Sequence, residues 1–450
     1  MPSLPTLSGL PGLAVLRAMG RDRSLLAGLA AMHKHLGNAF QITLPGFKPI
    51  VFVGPESNRH ILVSNRDDFL WRTEGDPVTA LLRHGLLVED GESHDCLRGL
   101  MEPTLQRAQV NGHIDGFWSC TGAVTDSWAD GSAVDMLVEM RKVALLILME
   151  TLFAVDFRPD LARLWRPILR SIEYISPGAW LVWPGAPRPG FQKDLAELDD
   201  YLYGIIQARR ASYTKTGTLG DDLLSVLVGH SQTHPEMNDD LIRDQLLTML
   251  IAGHDTSTAL LAWALYLLGT HPDALNEASN EARRVLTDDL PTPEQLRELT
   301  FLDTILKETL RLYPPIHVGN RRAAGDVEVE GYPVPKDNRV MYSIYLTHRD
   351  PAHWDDPDTF CPARFDRAQT KSGPPAFAYL PFGGGPRNCI GATFAQVEAK
   401  AVLGKVLRDF DLELLSGRVH EHMGATLEPR PGVKMRVRRT TSIFWTEREQ

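Results

Sequence analysis

Residues 381–391 read Pro-Phe-Gly-Gly-Gly-Pro-Arg-Asn-Cys-Ile-Gly, and a helical pattern, Ala-Thr-Phe-Ala-Gln-Val-Glu, continues to residue 398. Three consecutive glycines allow backbone conformations that other residues avoid, and they let a flat ligand approach the chain closely. Such a loop turns backbone N–H groups toward the sulfur of Cys389, and the helix that follows adds the positive end of its dipole. Both effects favour a thiolate, which is the form of cysteine that binds metals. The segment therefore predicts a metal-binding thiolate loop.

A phosphate-binding loop and a multi-cysteine site are the competing interpretations of this segment. A phosphate loop needs the spacing G-x-x-x-x-G-K-[ST], which is absent here. The other cysteines are Cys96, Cys120 and Cys361, and no two of the four have C-x-x-C spacing. Zinc knuckles, thioredoxin-like pairs and covalently attached c-type haem therefore lack their signature. Four cysteines in 450 residues also favour a reducing compartment over a disulfide scaffold.

The composition is that of an ordinary globular protein, with 43% hydrophobic and 23% charged residues. These values exclude the disordered and collagen-like classes. Lys and Arg number 47 against 57 Asp and Glu, and the resulting net charge of −10 disfavours nucleic acid as a partner. The first sixteen residues lack the basic start of a secretory signal. Because the longest charge-free apolar span, Thr256–Thr270, is too short to cross a membrane, we expect a cytoplasmic protein without a transmembrane anchor.

One loop-like stretch, residues 177–184, is unusually apolar and contains Trp180 and Trp183. The two rings could pack inward as ordinary core residues. They could also form an apolar lip at a pocket entrance or a shallow, peripheral membrane contact. The sequence leaves these alternatives open.

The pattern along the chain predicts a mainly α fold with a small β-rich part. Strand patterns lie near residues 38–54 and 326–345, and the first pair is joined by a Pro45-Gly46 turn. Between these regions the period is mostly helical, and residues 143–149 are apolar on all sides, as in a fully buried helix. Because the two β regions are distant in sequence, we expect one domain over residues 1–450.

The longest helical segment runs from about Asp239 to Leu268, with Asn238 as a plausible N-cap. At ~1.5 Å per residue it spans about 45 Å, which is enough to cross a domain. Its two ends are apolar, but its middle reads Gly253-His-Asp-Thr-Ser-Thr258. Burying a carboxylate and hydroxyls there costs several kcal/mol unless they find partners. The segment is therefore either a functional site or a tolerated kink stabilised by hydroxyl-to-carbonyl bonds.

The thiolate loop, written Phe382-x-x-Gly385-x-Arg387-x-Cys389-x-Gly391, resembles the haem-binding signature of the cytochrome P450 family. Five residues at fixed spacing make a chance match improbable. Three further motifs stand in the order that the family shows, so the resemblance extends over essentially the whole chain.

The first further motif, residues 252–256, resembles the oxygen-activation motif on the family's long central helix. The second, Glu308-Thr-Leu-Arg311, resembles a Glu-x-x-Arg pair that a later arginine, here Arg364, joins. The third, residues 91–98, resembles an early helix that holds a haem propionate. Two departures are minor: Ala363 stands where glutamate is usual, and His94 replaces a common tryptophan.

The resemblance implies haem b (iron protoporphyrin IX) as the cofactor and Cys389 as the proximal ligand of its iron. Phe382 would pack beside the sulfur, while Ala252 and Gly391 lie in the two motifs that face the haem. Cations would pair with the propionates, and Arg321 is preferred to Arg322 because it lies ten residues before Gly331. The propionate candidates are His94, Arg98, Arg321 and Arg387.

The same resemblance implies a monooxygenase that inserts one oxygen atom of O2 into a hydrophobic small molecule, most simply by hydroxylation. Asp255 and Thr256 would be the catalytic residues that supply protons for dioxygen reduction. Fatty acids, terpenoids, carotenoids and steroids all fit an apolar pocket. Since the chain lacks a Rossmann fingerprint, a P-loop and an iron–sulfur cysteine run, electrons would come from an external ferredoxin or flavodoxin-type donor with an NAD(P)H-dependent reductase.

Two alternative functions would use the same ligand. A haem-thiolate isomerase or dehydratase needs no external electrons, but it also has no need of the Asp255–Thr256 pair. A haem sensor usually carries an output domain, and the sequence contains no such segment. Both features favour the monooxygenase.

Overall fold

The computed structural model describes residues 3–7, 10–22, 24–178, 188–366 and 373–440. Most of this described chain is helical, as the sequence predicts. In chain order the α-helices are α1 (Leu10–Asp22), α2 (Leu25–Leu36), α3 (Pro55–Arg59), α4 (Pro77–Leu82), α5 (Gly91–Met101), α6 (Arg107–Gly112), α7 (Ile114–Thr125), α8 (Met136–Leu152), α9 (Leu161–Ile175), α10 (Gln192–Thr216), α11 (Leu223–His230), α12 (Asp239–Thr270), α13 (Pro272–Val285), α14 (Pro293–Glu298), α15 (Thr300–Leu312), α16 (Ile344–Thr347) and α17 (Ala392–Asp409). Of the described helices, none is both long and apolar enough to span a bilayer. Trp180 and Trp183 lie outside the described residues.

Short strands form small sheets at the periphery of the helices. They are β1 (Ala39–Gln41), β2 (Ile50–Phe52), β3 (Phe69–Leu70), β4 (Ala133–Asp135), β5 (Val318–Ala323), β6 (Val327–Val329), β7 (Tyr332–Val334), β8 (Arg339–Ser343), β9 (Phe410–Leu414), β10 (His420–Met423), β11 (Leu427–Arg430) and β12 (Lys434–Arg439). A five-stranded sheet has the order β1-β2-β8-β5-β3, and a three-stranded sheet has the order β4-β12-β9. The pairs β6-β7 and β10-β11 form antiparallel hairpins.

The two predicted β regions meet in the five-stranded sheet. Strand β2 pairs in parallel with β8, so that Ile50 lies opposite Val340 although 290 residues separate them. The sequence analysis missed β5 and the strands after α17. The sequences of β5 and β10 do not alternate between apolar and polar residues, and β9 and β12 alternate but are only five and six residues long. The β-rich part is therefore larger than predicted.

Helix α12 forms the centre of the molecule and confirms the predicted long helix. The Asn238 side chain accepts a hydrogen bond of 2.9 Å from the Leu241 N–H and caps its first turn. The helix continues through residues 253–258 without interruption, so the polar cluster does not break it. Gly253 permits close packing on α8, since a Cβ there would lie 2.4 Å from Leu148 Cδ1. Residues 143–149 of α8 are all buried, as predicted.

Glu308 and Arg311 form a fully buried ion pair on α15. The Arg311 Nε and Nη2 atoms each donate a 2.8 Å hydrogen bond to one oxygen of the Glu308 carboxylate. The Arg364 Nε lies 3.4 Å from the same carboxylate, as the motif predicts. Glu308 also accepts the backbone N–H of Cys361. This cluster ties α15 to the chain that leads toward the Cys389 loop.

Candidate functional site

The Cys389 loop adopts the conformation for which its glycines are needed. Gly383 and Gly385 have φ angles of +70° and +67°, a region that favours glycine. A Cβ on Gly385 would lie 2.3 Å from the carbonyl oxygen of Leu62, so this glycine also permits a close backbone approach. The Cys389 N–H donates a 2.8 Å hydrogen bond to the Phe382 carbonyl, and α17 begins three residues after the sulfur. The loop therefore fixes Cys389 at the N-terminal end of a long helix.

The thiol of Cys389 is surrounded by protein, yet its side chain is accessible, so it lines an interior space. Burial raises the pKa of this thiol, and the Gly391 N–H and the Arg98 charge lower it by less. The predicted preference for a thiolate is thus opposed by desolvation in the protein alone. A metal cation at the sulfur would reverse this balance, because a coordinating thiol is deprotonated outright.

The central turn of α12 borders an interior space as well. Ala252 is exposed, although the turns before and after it are buried. Thr256 is half-buried, and its hydroxyl donates a 2.8 Å hydrogen bond to the Ala252 carbonyl. Small and hydroxylated residues thus line this part of the helix, whereas its neighbours are large apolar residues.

Asp255 lies on the same turn and is 2% exposed. Its Oδ1 accepts a 2.9 Å hydrogen bond from Arg141 Nη2, and its Oδ2 accepts a 2.7 Å bond from the Thr426 hydroxyl. Arg141 also binds Glu428. The sequence analysis did not identify Arg141, Glu428 or Thr426 as partners of Asp255. No sequence signal joins them, because Asp255 is 114 residues from Arg141 and 171 from Thr426.

Glu398 is a further buried carboxyl group that the sequence analysis did not single out. It lies on α17, nine residues after Cys389, and is 2% exposed. The Ser257 hydroxyl on α12 donates a 2.6 Å hydrogen bond to its Oε2. Burial raises the pKa of Glu398 to about 8, and the Ser257 bond offsets only part of that effect. The pair links the polar turn of α12 to the helix that follows the Cys389 loop.

Two propionate candidates, His94 and Arg98, lie on α5 beside the loop. Arg98 Nη1 donates a 2.8 Å hydrogen bond to the Asn388 carbonyl, next to Cys389. His94 is buried and hydrogen-bonded to Asp95 at 2.9 Å. Burial lowers the pKa of His94, and the charges of Arg387 and Arg98 lower it further. The early helix is therefore in electrostatic contact with the Cys389 loop.

The other two candidates are Arg321 and Arg387, which together with Arg98 form a group of three cations. Burial lowers the pKa of Arg387, and the charge of Arg321 acts in the same direction. Arg387 forms a 2.7 Å ion pair with Asp90. Arg322, the rejected alternative, points to the other side of β5 and binds Asp337. The geometry favours Arg321, and its role as a propionate ligand stays a prediction.

The surroundings of the buried Arg321 indicate whether an anionic prosthetic group fits beside the Cys389 loop. It is 6% exposed and lies over the rings of Trp71 and Tyr342 at 5.4 and 5.5 Å. Among the described residues it has no carboxylate within ion-pair distance, and its Nη1 donates a 2.7 Å hydrogen bond to the Asn320 carbonyl. A buried charge without a counter-ion is costly, and a propionate would supply that counter-ion.

The distribution of metal-ligating side chains also favours a prosthetic group at this site. Within the described ranges, no three His, Cys, Asp or Glu side chains come together as a metal site. A metal at Cys389 would therefore take its remaining ligands from a prosthetic group. Cys389, the group of cations and the accessible turn of α12 together fit haem.

Comparison with known proteins gives a consistent result. The family model described as cytochrome P450 matches residues 4–433. The chain is 29% identical to putative cytochrome P450 139 of Mycobacterium tuberculosis, over 92% of this chain and 97% of the relative. It is 30% identical to chloroplastic cytochrome P450 97B2 of Glycine max, over 88% of this chain and 80% of the relative.

Solved structures resemble the chain over nearly its whole length. The crystal structure of the cytochrome P450DA heme domain is 25% identical, with a TM-score of 0.85 and 98% of each chain covered. A triple mutant of the same heme domain is 26% identical, with a TM-score of 0.84 and the same coverage.

Proposed function

The chain belongs to the cytochrome P450 family of haem-thiolate monooxygenases, and on that basis we propose that it hydroxylates a hydrophobic small molecule with electrons from a separate donor. The balanced reaction is RH + O2 + NAD(P)H + H+ → ROH + H2O + NAD(P)+. The observation that carries the proposal is the Asp255–Thr256 pair on the interior face of α12, because proton supply is what an oxygen-reducing site needs. The rival isomerase or dehydratase does not need this pair.

We assign the cofactor as haem b, which supplies the iron at which dioxygen binds and is reduced. Cys389 would ligate the iron, and the half-buried Phe382, packed against the helical core, would limit access of water to the sulfur. Gly391 and Ala252 would contact the two faces of the ring. The buried His94 and the three arginines Arg98, Arg321 and Arg387 would hold the propionates.

Asp255 and Thr256 are the proposed catalytic residues. The Thr256 hydroxyl can donate or accept a hydrogen bond, so it can hold a water molecule beside dioxygen. Asp255 lies next to it in the chain and can accept and return protons through its carboxylate. Since both lie on the accessible turn of α12, the proton path would run along this helix.

The substrate pocket is proposed to be apolar, with its chemical class open among fatty acids, terpenoids, carotenoids and steroids. Ile316, at the entry to β5, is 41% exposed, which fits a wall residue. Its neighbour His317 is buried, and burial lowers the pKa of His317 to about 4. His317 is therefore neutral at pH 7 and compatible with an uncharged substrate.

The electron donor is proposed to be a ferredoxin or flavodoxin-type protein with its own NAD(P)H-dependent reductase. Three basic residues on α17, the helix that follows the Cys389 loop, already form ion pairs within the chain. Lys400 binds Asp303, while Lys405 and Arg408 bind Asp409. We further propose a cytoplasmic location, with peripheral membrane contact through residues 177–184 as the alternative.

The decisive experiment is the absorption spectrum of the reduced, haem-loaded protein under carbon monoxide. We expect the band of thiolate-ligated haem in the wild type and its loss in Cys389→Ser. Cys96→Ser, which changes an exposed cysteine on α5, is the matched control and should keep the band. Histidine-type ligation in the wild type, or an unchanged spectrum in Cys389→Ser, would overturn the assignment.

A second measurement separates the monooxygenase from the isomerase. With a surrogate ferredoxin and reductase, the wild type should consume O2 and NAD(P)H in equal amounts. Turnover of a bound ligand without either reagent would instead support an isomerase or dehydratase.

A further inference from the structure

The carboxylate of Asp255 is fixed at both of its oxygens by residues from remote parts of the chain. Arg141 on α8 binds Oδ1, and Thr426 binds Oδ2. Arg141 and Thr426 are themselves buried. A carboxylate bound at one oxygen can still turn about its Cβ–Cγ bond, whereas two bonds from opposite sides define a single orientation.

Thr426 lies in the turn of the β10-β11 hairpin, one residue before β11. The first residue of β11, Leu427, is fixed by two hydrogen bonds. Its N–H donates to the Pro315 carbonyl, and its carbonyl accepts from Trp263 Nε1 at 2.8 Å. Leu427 itself is a fully buried core residue. Because Leu427 is anchored, the hydroxyl of the neighbouring Thr426 is held in a defined position next to Asp255.

The same hairpin also contacts Arg141, which is the other partner of Asp255. Glu428, two residues after Thr426, binds Arg141, and Arg430 binds Glu428 at 2.9 Å. Arg141 is thus shared between the carboxylates of Asp255 and Glu428. Both bonds to Asp255 depend on the position of the hairpin, one directly and one through Arg141.

The hairpin turn also contacts the end of α9. The Ala425 N–H donates a 3.0 Å hydrogen bond to the hydroxyl of Ser176, the C-cap residue of α9. Adjacent residues, Ala425 and Thr426, therefore make the contact with α9 and the contact with Asp255. A shift of the α9 end would be transmitted to Thr426 through a single peptide unit.

We propose that Thr426 is a positioning residue for the proton-supplying carboxylate, and that the β10-β11 hairpin sets the orientation of Asp255 through Thr426 and Arg141. The inference rests on the proposed function, in which Asp255 supplies protons. Without the Thr426 hydroxyl, Asp255 keeps its bond to Arg141 but its second oxygen is free to turn. The two protons are then delivered to a less well-defined position, and more of the dioxygen leaves as H2O2, formed from O2, two electrons and two protons, in place of ROH and H2O.

The first test is a double-mutant cycle on the stability of the haem-loaded protein. Thr426→Val keeps the shape of the side chain and removes the hydroxyl, and Asp255→Ala removes the acceptor while Glu428 still neutralises Arg141. We expect Thr426→Val to lower the thermal midpoint in the wild type and to have much less effect in the Asp255→Ala background. Additive effects would overturn the proposed contact.

The second test measures H2O2 formed per NAD(P)H oxidised, with a surrogate ferredoxin and reductase. Thr426→Val should raise this ratio several-fold, and Thr426→Ser, which restores the hydroxyl, should return it toward the wild-type value. Thr256→Ala is the benchmark, since loss of the catalytic hydroxyl should uncouple at least as strongly while haem binding is kept. Thr121→Val, at a buried threonine of α7 that bonds the Phe117 carbonyl, should leave the ratio unchanged.

The outcomes separate the two proposals. A wild type without thiolate-ligated haem, or without NAD(P)H-driven O2 consumption, overturns the proposed function and the role of Thr426 with it. A functional wild type in which Thr426→Val and Thr121→Val give the same peroxide ratio overturns the role of Thr426 alone. Equal uncoupling in Thr426→Val and Thr426→Ser also overturns it, because the hydroxyl would then not be the relevant group.

Discussion

Glu398 shows how one buried side chain makes stability depend on pH. Burial between α17 and α12 raises its pKa to about 8, compared with an ordinary value of 4.5. Between these two values the folded protein therefore holds a proton that the unfolded chain has lost. The stabilisation is complete below about pH 4.5 and is lost as the pH rises through 8.

Glu398→Gln should remove this dependence. We expect the variant to gain stability relative to the wild type as the pH rises from 5 to 8, by an amount on the order of a few kcal/mol. The measurement is the thermal midpoint of both proteins at the two pH values. Glu413→Gln, at a half-exposed glutamate on β9, is the control and should show a constant difference. A constant difference for Glu398→Gln as well would contradict the raised pKa.

At this scale the sequence identifies residues by their local pattern and cannot identify their partners. Cys389 and Asp255 were found because each stands in a short segment with an unusual composition. No local motif marks Arg141 or Glu398 within its helix, and the importance of both residues comes from tertiary contacts alone. The thiolate preference was also overestimated, because desolvation of the sulfur depends on packing that a local motif does not contain.

Among the elements, α15 and α14 allow a buried ion pair to be compared directly with an exposed one. Glu308 and Arg311 are fully buried at i, i+3 spacing, whereas Glu294 and Arg297 on α14 have the same spacing and are more than 60% exposed. Removing one partner of a buried pair leaves an uncompensated charge, at a cost of about 3–5 kcal/mol. An exposed pair is screened by water and contributes about 0–1 kcal/mol.

We therefore expect Glu308→Gln to lower the urea midpoint strongly and Glu294→Gln to change it little. Both substitutions keep the size of the side chain, so the comparison isolates the charge. Unfolding curves of the two haem-loaded variants under identical conditions provide the measurement. Equal losses would show that the buried pair contributes no more than a surface pair.

Elements with strong periodicity and clear ends were predicted well. Asn238 and the apolar flanks located α12, and the unbroken apolar run located α8. The strands β9 to β12 were missed because each is only four to six residues long, and because β12 pairs with a distant segment: Lys434 lies opposite Asp135 of β4, 299 residues away. Short strands with distant partners gain their stability from pairing, so the isolated segment carries little signal.

For the whole molecule, the strand pairings argue for the single domain that the sequence predicts. The five-stranded sheet combines β1, β2 and β3 from the first 70 residues with β5 and β8 from residues 318–343. Most of the helical core lies in the chain between them, α17 of the same core follows β8, and β12 returns from the C-terminal part to pair with β4. No single cut of the chain separates the sheets from the helices, so we propose that they unfold together.

Hydrogen exchange of the haem-loaded protein at increasing urea concentration can test this proposal. Peptides covering Ile50–Phe52 and Arg339–Ser343 report on the sheet, and peptides from α8 and α12 report on the helical core. We expect all four to lose protection at the same midpoint, because β2 and β8 keep their parallel pairing only while the intervening helices hold their ends together. If the sheet peptides exchange at clearly lower urea than α8 and α12, the β-rich part is a separate folding unit and the single-domain proposal is wrong.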